Sequence, residues 1–280
     1  MAITNFIPTI WSEALNLTLN QTYVGVANCN RSFEGDIKEM GSVVKFCGID
    51  SVSVYEYTKN SDMSAPQALT DTVIEFPIDR ARYFNFQIDD IDRAQASPVL
   101  MESAMKIAAS ALAKEADKHI YSLHNFSNKR ISLTEPSANL LINGIIEAME
   151  FIYTVSNCEP SDIVIEVSPA VASILLKAKL ELSSNNSVAF ENGQLTTLFG
   201  AKVFVTNSIE QTYDTDFILH NCFIRTKRAI AFADQLSEIE AYRPEKRFCD
   251  AVKGLHLYGA KVIYPDELVC LEIGRTIENI

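Results

Sequence analysis

The sequence is short of the patterns that announce chemistry. Its six cysteines (Cys29, Cys47, Cys158, Cys222, Cys249, Cys270) stand far apart with no CxxC pair, which argues against a zinc ribbon or a redox couple and leaves buried free thiols. The four histidines contain no HExxH, and the step from His119 to His124 does not align two ligands on one helical face. No GxSxG elbow, no GxxxxGK(S/T) loop and no GxGxxG turn occurs, so acyl transfer and nucleotide chemistry lack their usual scaffolds. No metal, cofactor or catalytic residue is expected, and the chain reads as a non-enzyme.

Long apolar runs are missing too. Met1 to Trp11 has neither a basic n-region nor a continuous apolar h-region, and no window approaches 18 unbroken apolar residues. The expectation is a soluble protein made in the cytosol, with no membrane partner. Glycine (10) and proline (9) are sparse and scattered among 280 residues, with no low-complexity block or repeat, which disfavours disorder. Basic excess is absent: 24 basic against 36 acidic side chains give a charge of −12, which repels phosphate backbones. Tight nucleic-acid binding is disfavoured, although a container for DNA tolerates this balance.

What is present, 48% hydrophobic and 21% charged residues, suits one large domain or two smaller ones with a sizeable core. Residues 1–42 are apolar (Phe6, Ile7, Ile10, Trp11, Leu15, Leu17, Leu19, Tyr23, Val24, Val26) without a sustained period and read as an arm with at most a short helix. Such an arm must dock, and the pattern fits docking on its own domain and on a neighbour equally. From Val43 to Asp89, VVKFCGI, SVSVYEY, TVIEFPI and YFNFQI read as strands of a long two-stranded hairpin with a polar tip between Tyr57 and Thr72. Ser97 and Pro98 cap a long helix through His124, with a stripe at Met101, Met105, Ala108, Leu112, Ala116, Ile120 and Leu123. A helix over 138–155, a strand over 163–167 and a helix from Ser168-Pro169 to about Leu182 follow. Strands with Gly200 at one entrance complete the chain, an α+β pattern whose last third is rich in strands.

Charged clusters are ambiguous. Asp89, Asp90 and Asp92 are able to hold a cation but fit better the positive end of the following helix or a pairing with Arg93. Arg225, Lys227 and Arg228 read as a solvated face. Arg243, Glu245, Lys246 and Arg247 differ, because Pro244 stiffens the turn that displays them and suits it to recognising a partner.

The order arm, hairpin, long helix, mixed domain and returning strands resembles the major capsid protein fold shared by tailed phages, encapsulins and herpesviruses. MAITNFIPTIWS, YFNFQIDDID, FGAKVFVTNS, KRAIAFADQ and, most specifically, IEAYRPEKRFCDAVKGLHLYGAKV look like segments of tailed-phage coat proteins. The resemblance implies an N-terminal arm (1–42), an extended hairpin loop (43–89), a peripheral domain with a spine helix (90–137 and 225–280) and an axial domain (138–224). It implies a virion shell subunit that is made in the bacterial host cytoplasm. Its partners would be itself, as pentamers and hexamers, a separate scaffolding protein, portal and head-completion proteins, and enclosed double-stranded DNA bound without sequence specificity. The implied assembly contacts are Trp11, Tyr57, Lys59, Asp62, Arg243, Glu245, Lys246 and Arg247, and the loop Ser208 to Asp216 would point to the capsomer centre. Some relatives crosslink Lys to Asn between subunits; Lys59 lies on the hairpin tip, with nothing else in the sequence to support that reaction. Two other readings stay open: an encapsulin-type shell housing enzymes and, more distantly, a hydrolase using Asp89, Asp90 or His119. Removing residues 1–30 is expected to leave a folded protein that fails to close shells.

Overall fold

The computed structural model describes residues 15, 17–32, 43–49, 54–57, 59, 62, 66–67, 71–89, 99–182, 197–214, 216–245 and 249–276. Helix α1, Val99–Tyr121, runs 23 residues, roughly 34 Å at about 1.5 Å each, and continues into a 3-10 turn, Ser122–Phe126. Its buried stripe is Met105, Ala109, Leu112, Ala113, Ala116 and Ile120. The expected Ala108 is only half-buried: the helical period carries the core line onto Ala109 and Ala113, whose small side chains permit close packing. Ser97 and Pro98 lie outside the described residues.

The strands form three sheets among the described residues. β1 (Val43–Ile49) pairs antiparallel with β2 (Asp71–Pro77), from Val43 opposite Pro77 to Ile49 opposite Asp71. β3 (Arg80–Asp89) does not extend that hairpin as expected. It pairs along ten residues with β11 (Cys249–Val262), which also pairs with β10 (Ile230–Tyr242). The reason lies in its alternation: Phe84 and Phe86 pack on the main core, while Tyr83 stays 78% exposed. Gly254 permits this register, since a Cβ there would lie 2.5 Å from the Phe84 ring. The SVSVYEY stretch is no strand where it is described; Val54 to Tyr57 are exposed and irregular.

The largest sheet runs β4 (Lys129–Thr134), β12 (Leu268–Thr276), β9 (Phe217–Thr226), β5 (Ile163–Val167), β7 (Ala201–Val205) and β6 (Thr197–Leu198), with β8 (Gln211–Tyr213) also on β9. β5 is buried at all five positions, as a central strand must be when both its faces are covered. Two helices join this sheet. In α2, Ala138–Val155, the Ser137 side chain accepts the Leu140 N–H. In α3, Pro169–Leu182, the Ser168 hydroxyl accepts the Val171 N–H at 3.4 Å. β6 and β7 are joined by Phe199 and Gly200, both left-handed at φ 52° and 85°. A two-residue turn with two positive φ values matches strand twist, but it favours Asn-Gly; holding a Phe there costs about 1 kcal/mol.

This sheet crosses the borders expected at 137/138 and 224/225, because β4 and β12 share it with β5, β7 and β9. β12 is apolar and largely buried, so the C-terminal strand is drawn between β4 and β9 instead of joining β10 and β11. The strands after Ala229 are thus divided between two sheets.

Candidate assembly interface

Residues 15–32 belong to the segment expected to dock on its own domain or on a neighbour; where they are described they are built into the chain's own core. Leu15, Leu19, Tyr23 and Val26 are at most 5% exposed. Asn30 accepts from Phe232 N–H and donates its own N–H to the Ile230 carbonyl, bridging to β10. A side chain at Gly25 would be tight, because a Cβ there would lie 3.0 Å from the Tyr121 hydroxyl.

Buried charge holds this strap. Arg225, completely buried on β9, donates from Nε and Nη2 to the two Glu166 carboxylate oxygens (2.9 and 3.0 Å). Two further N–H groups reach the carbonyls of Asn28 (2.7 Å) and Gly25 (2.9 Å). Asn28 Nδ2 donates to Glu166 Oε1 at 3.1 Å, closing the network. A buried ion pair is tolerable only when its remaining donors and acceptors are met in this way. On α1, the Asp117 carboxylate accepts the N–H groups of Val24 and Val26, each at 3.0 Å. Burial, opposed by those two N–H donors and reinforced by Glu166, pushes the Asp117 carboxyl up to about 6.

A second cluster ties the strap to the three-stranded sheet. Tyr23 Oη donates to Asp234 Oδ2 (2.8 Å), His256 Nε2 lies 3.1 Å from the same oxygen, and Arg31 Nη2 lies 3.3 Å from Oδ1. Burial would raise the Asp234 carboxyl, but hydrogen bonding and charge from His256, with Tyr23 and Arg31, hold it below the usual range. Burial also lifts the thiols of Cys222 and Cys270 to about 12 and that of Cys29 to about 11, which makes them poor nucleophiles.

The contact residues expected from sequence fall into two groups on separate sheets. Tyr57 (72% exposed), Lys59 and Asp62 sit exposed between β1 and β2; Arg243 and Glu245 sit exposed where β10 turns toward β11. Trp11, Lys246 and Arg247 lie outside the described residues, as do Asp90 and Asp92. The reading of Arg225, Lys227 and Arg228 as one solvated face is corrected. Lys227 and Arg228 are exposed as expected, Arg228 pairing with Glu267 and donating to Ser156 at 2.7 Å, but Arg225 is buried. The missed signal was Glu166 inside IVIEV and Arg225 inside FILHNCFIRT: a charge within an apolar strand is a charge with a buried partner.

No protein-family profile and no curated protein matches the sequence. Solved structures do match. A chain of Mycobacterium phage Che8 superposes with a TM-score of 0.70 at 25% identity, over 89% of this chain and 90% of that one. A chain from the capsid of cyanophage P-SCSP1u gives 0.66 at 14% identity, over 88% and 86%. The virus-like particle from Pyrococcus furiosus gives 0.56 at 11% identity, over 95% and 99%. This chain therefore has the α+β fold of the tailed-phage major capsid proteins.

Proposed function

We propose that the chain is the major capsid subunit of a tailed bacteriophage, a structural protein whose copies close into the icosahedral head. The observation that carries this reading is the Che8 match, which covers nearly the whole of both chains at a TM-score of 0.70. An enzyme-housing shell of the same fold is the weaker reading, because phage chains are the better matches, up to a TM-score of 0.70.

On the finer scale, α1 and the three-stranded sheet act as the peripheral part, and the largest sheet with α2 and α3 as the axial part. The β1–β2 hairpin is the extended loop, and the segment from Ser208 to Asp216, which includes β8, points to the centre of pentamers and hexamers. Tyr57, Lys59 and Asp62 on the hairpin, Arg243, Glu245, Lys246 and Arg247 on the turn, and Trp11 near the N-terminus make the contacts between copies. A separate scaffolding protein guides closure in the host cytoplasm, and portal and head-completion proteins join the shell. The charge of −12 suits a lining that encloses double-stranded DNA without gripping it.

The contents of purified particles test this reading. Shells recovered with the products of the flanking genes should contain nuclease-protected DNA or scaffold. Particles loaded with one enzyme and free of nucleic acid would overturn the phage reading in favour of the cargo shell.

A further inference from the structure

The acidity of this chain is not evenly spread. The core and the strap take one half of α1; the other half, from Ser103 to Lys118, presents Lys106, Lys114 and Lys118 among the small residues Ser103, Ser110 and Ala111, all exposed. The one acid on that half, Glu115, sits at its edge, 2.7 Å from Lys118 Nζ and 3.8 Å from Arg82 Nε on β3. Arg80 and Arg82 lie on the same side of β3 as Phe84 and Phe86, because residues two apart in a strand share a face, and so they flank α1. Arg80 has Asp79 at 3.9 Å. Asp117 is turned the other way, buried beneath the strap. Burial, together with Arg80, holds the His119 imidazole below its usual range, so it adds no charge at neutral pH. Five cations against two carboxylates thus share one face of a chain whose total charge is −12.

The chemistry of this face selects its partner. Lys106 to Lys118 rise roughly 18 Å along the helix, a length over which one strand of duplex DNA presents about five phosphates. The small side chains between the lysines let a broad cylinder approach. A protein partner would call for a different surface, since interface cores are anchored by aromatic residues and depleted in lysine. Between Ser103 and Lys118 the exposed side carries no aromatic residue, and its one large apolar side chain, Ile107, stands alone. Lysine is a point charge on a flexible stem, which attracts phosphate and reads no sequence. The rest of the surface carries the acid excess and repels a duplex, so a duplex that touches the subunit settles here.

We propose that the solvent face of α1, with Arg80 and Arg82, looks into the shell and touches the phosphate backbone of the enclosed duplex without reading its bases. This rests on the shell reading and adds to it which side of the subunit is the lining. The contact is electrostatic and weak: a few phosphates per subunit, each contributing about −0.9 to the log–log salt slope, hold a duplex loosely enough for it to run out.

The test uses the full chain, as unassembled subunit and as DNA-filled particles made with its flanking genes. With a random-sequence duplex as probe, the wild-type subunit should bind with a salt slope of about −3 to −4, and Lys106→Glu/Lys114→Glu/Lys118→Glu should bind about tenfold more weakly or worse at an unchanged Tm. Lys202→Glu/Lys227→Glu/Lys253→Glu alters exposed lysines elsewhere by the same net charge and should lose less than about threefold. If glutamate unsettles the helix, glutamine at the same three α1 positions, an uncharged helix former, should still weaken binding about threefold. In particles, Ser110→Cys should react with a polymer-bearing maleimide too large to enter a closed shell only after the particles are opened, above the background of the wild-type cysteines. Equal duplex binding by the two triple reversals, or full labelling of Ser110→Cys on intact particles, would overturn the proposal while leaving the shell reading standing. Unchanged duplex binding together with failed closure by the α1 variant would overturn it in favour of an acidic protein partner. A wild-type chain that forms no particles would strike the shell reading itself.

Discussion

The residues that matter most to this fold are charged ones in places where charge is rarely found. Removing one partner of a buried, hydrogen-bonded ion pair strands the other, at about 3–5 kcal/mol. Glu166→Gln should therefore lower stability by roughly that amount in chemical denaturation, with the m-value unchanged. Asp117 makes the same strap sensitive to pH. Its folded carboxyl keeps a proton up to about pH 6, against an ordinary value of 3.8, so the folded state binds more protons between those values. The stability tied to that proton is complete below the ordinary value and is lost as pH rises through about 6, by about 1 kcal/mol from pH 5 to pH 7. Asp234 acts oppositely: its depressed value gives stability that is present above the ordinary carboxylate range and lost only in stronger acid. Melting curves at pH 5 and pH 7 should thus show a wild-type decline that Asp117→Asn flattens. An equal decline in both proteins would remove Asp117 as its source. The reading of the cysteines as inert is checked as simply. Cys29, Cys222, Cys249 and Cys270 are buried, so of these and the half-buried Cys158 only Cys158 should label with a thiol reagent in the folded state.

At the scale of elements, periodicity and capping were legible in the sequence, and pairing was not. Ala138–Val155 and Ile163–Val167 coincide with the segments expected, and Ser168-Pro169 opens α3 as its capping chemistry requires. Those signals are local. The departure of β3 from the hairpin, by contrast, depends on Gly254 leaving space for the Phe84 ring, some 170 residues away in sequence. Adding a methyl group there should show the dependence: Gly254→Ala presses on a rigid ring and should cost about 1–3 kcal/mol in stability. The strap is the larger departure. Leu15, Leu19, Tyr23 and Val26 recur at helical steps of four, four and three, and residues 17–22 are helical, but the stretch is too short to stand out among the apolar residues around it. Burying four such side chains is worth on the order of 10 kcal/mol, comparable to the whole stability of a domain. Deleting residues 1–30 should therefore abolish cooperative folding, a reversal of the expectation from sequence that circular dichroism and melting would detect.

At the scale of the whole molecule, the interior was more legible than the surface. Core positions announce themselves by pattern, whereas contacts between copies are exposed in the single subunit and resemble ordinary solvated loops. The turn from Arg243 to Arg247 is proposed as one such contact: one exposed ion pair contributes only about 0–1 kcal/mol, yet a symmetric shell repeats each loss at every copy. Arg247→Glu should leave circular dichroism and Tm near normal while few shells close, and wild-type assembly should weaken with salt. Normal shell yields from that variant would make the turn a solvated loop. The claim on which all of this depends is that the folded chain is a shell subunit. Sedimentation velocity, with negative-stain images of the same sample, tests it directly on the full chain produced together with its flanking genes. Closed shells or tubes of uniform diameter, sedimenting far above the 31.2 kDa monomer, are the result predicted. A folded, monodisperse monomer at high concentration with those partners present would contradict it.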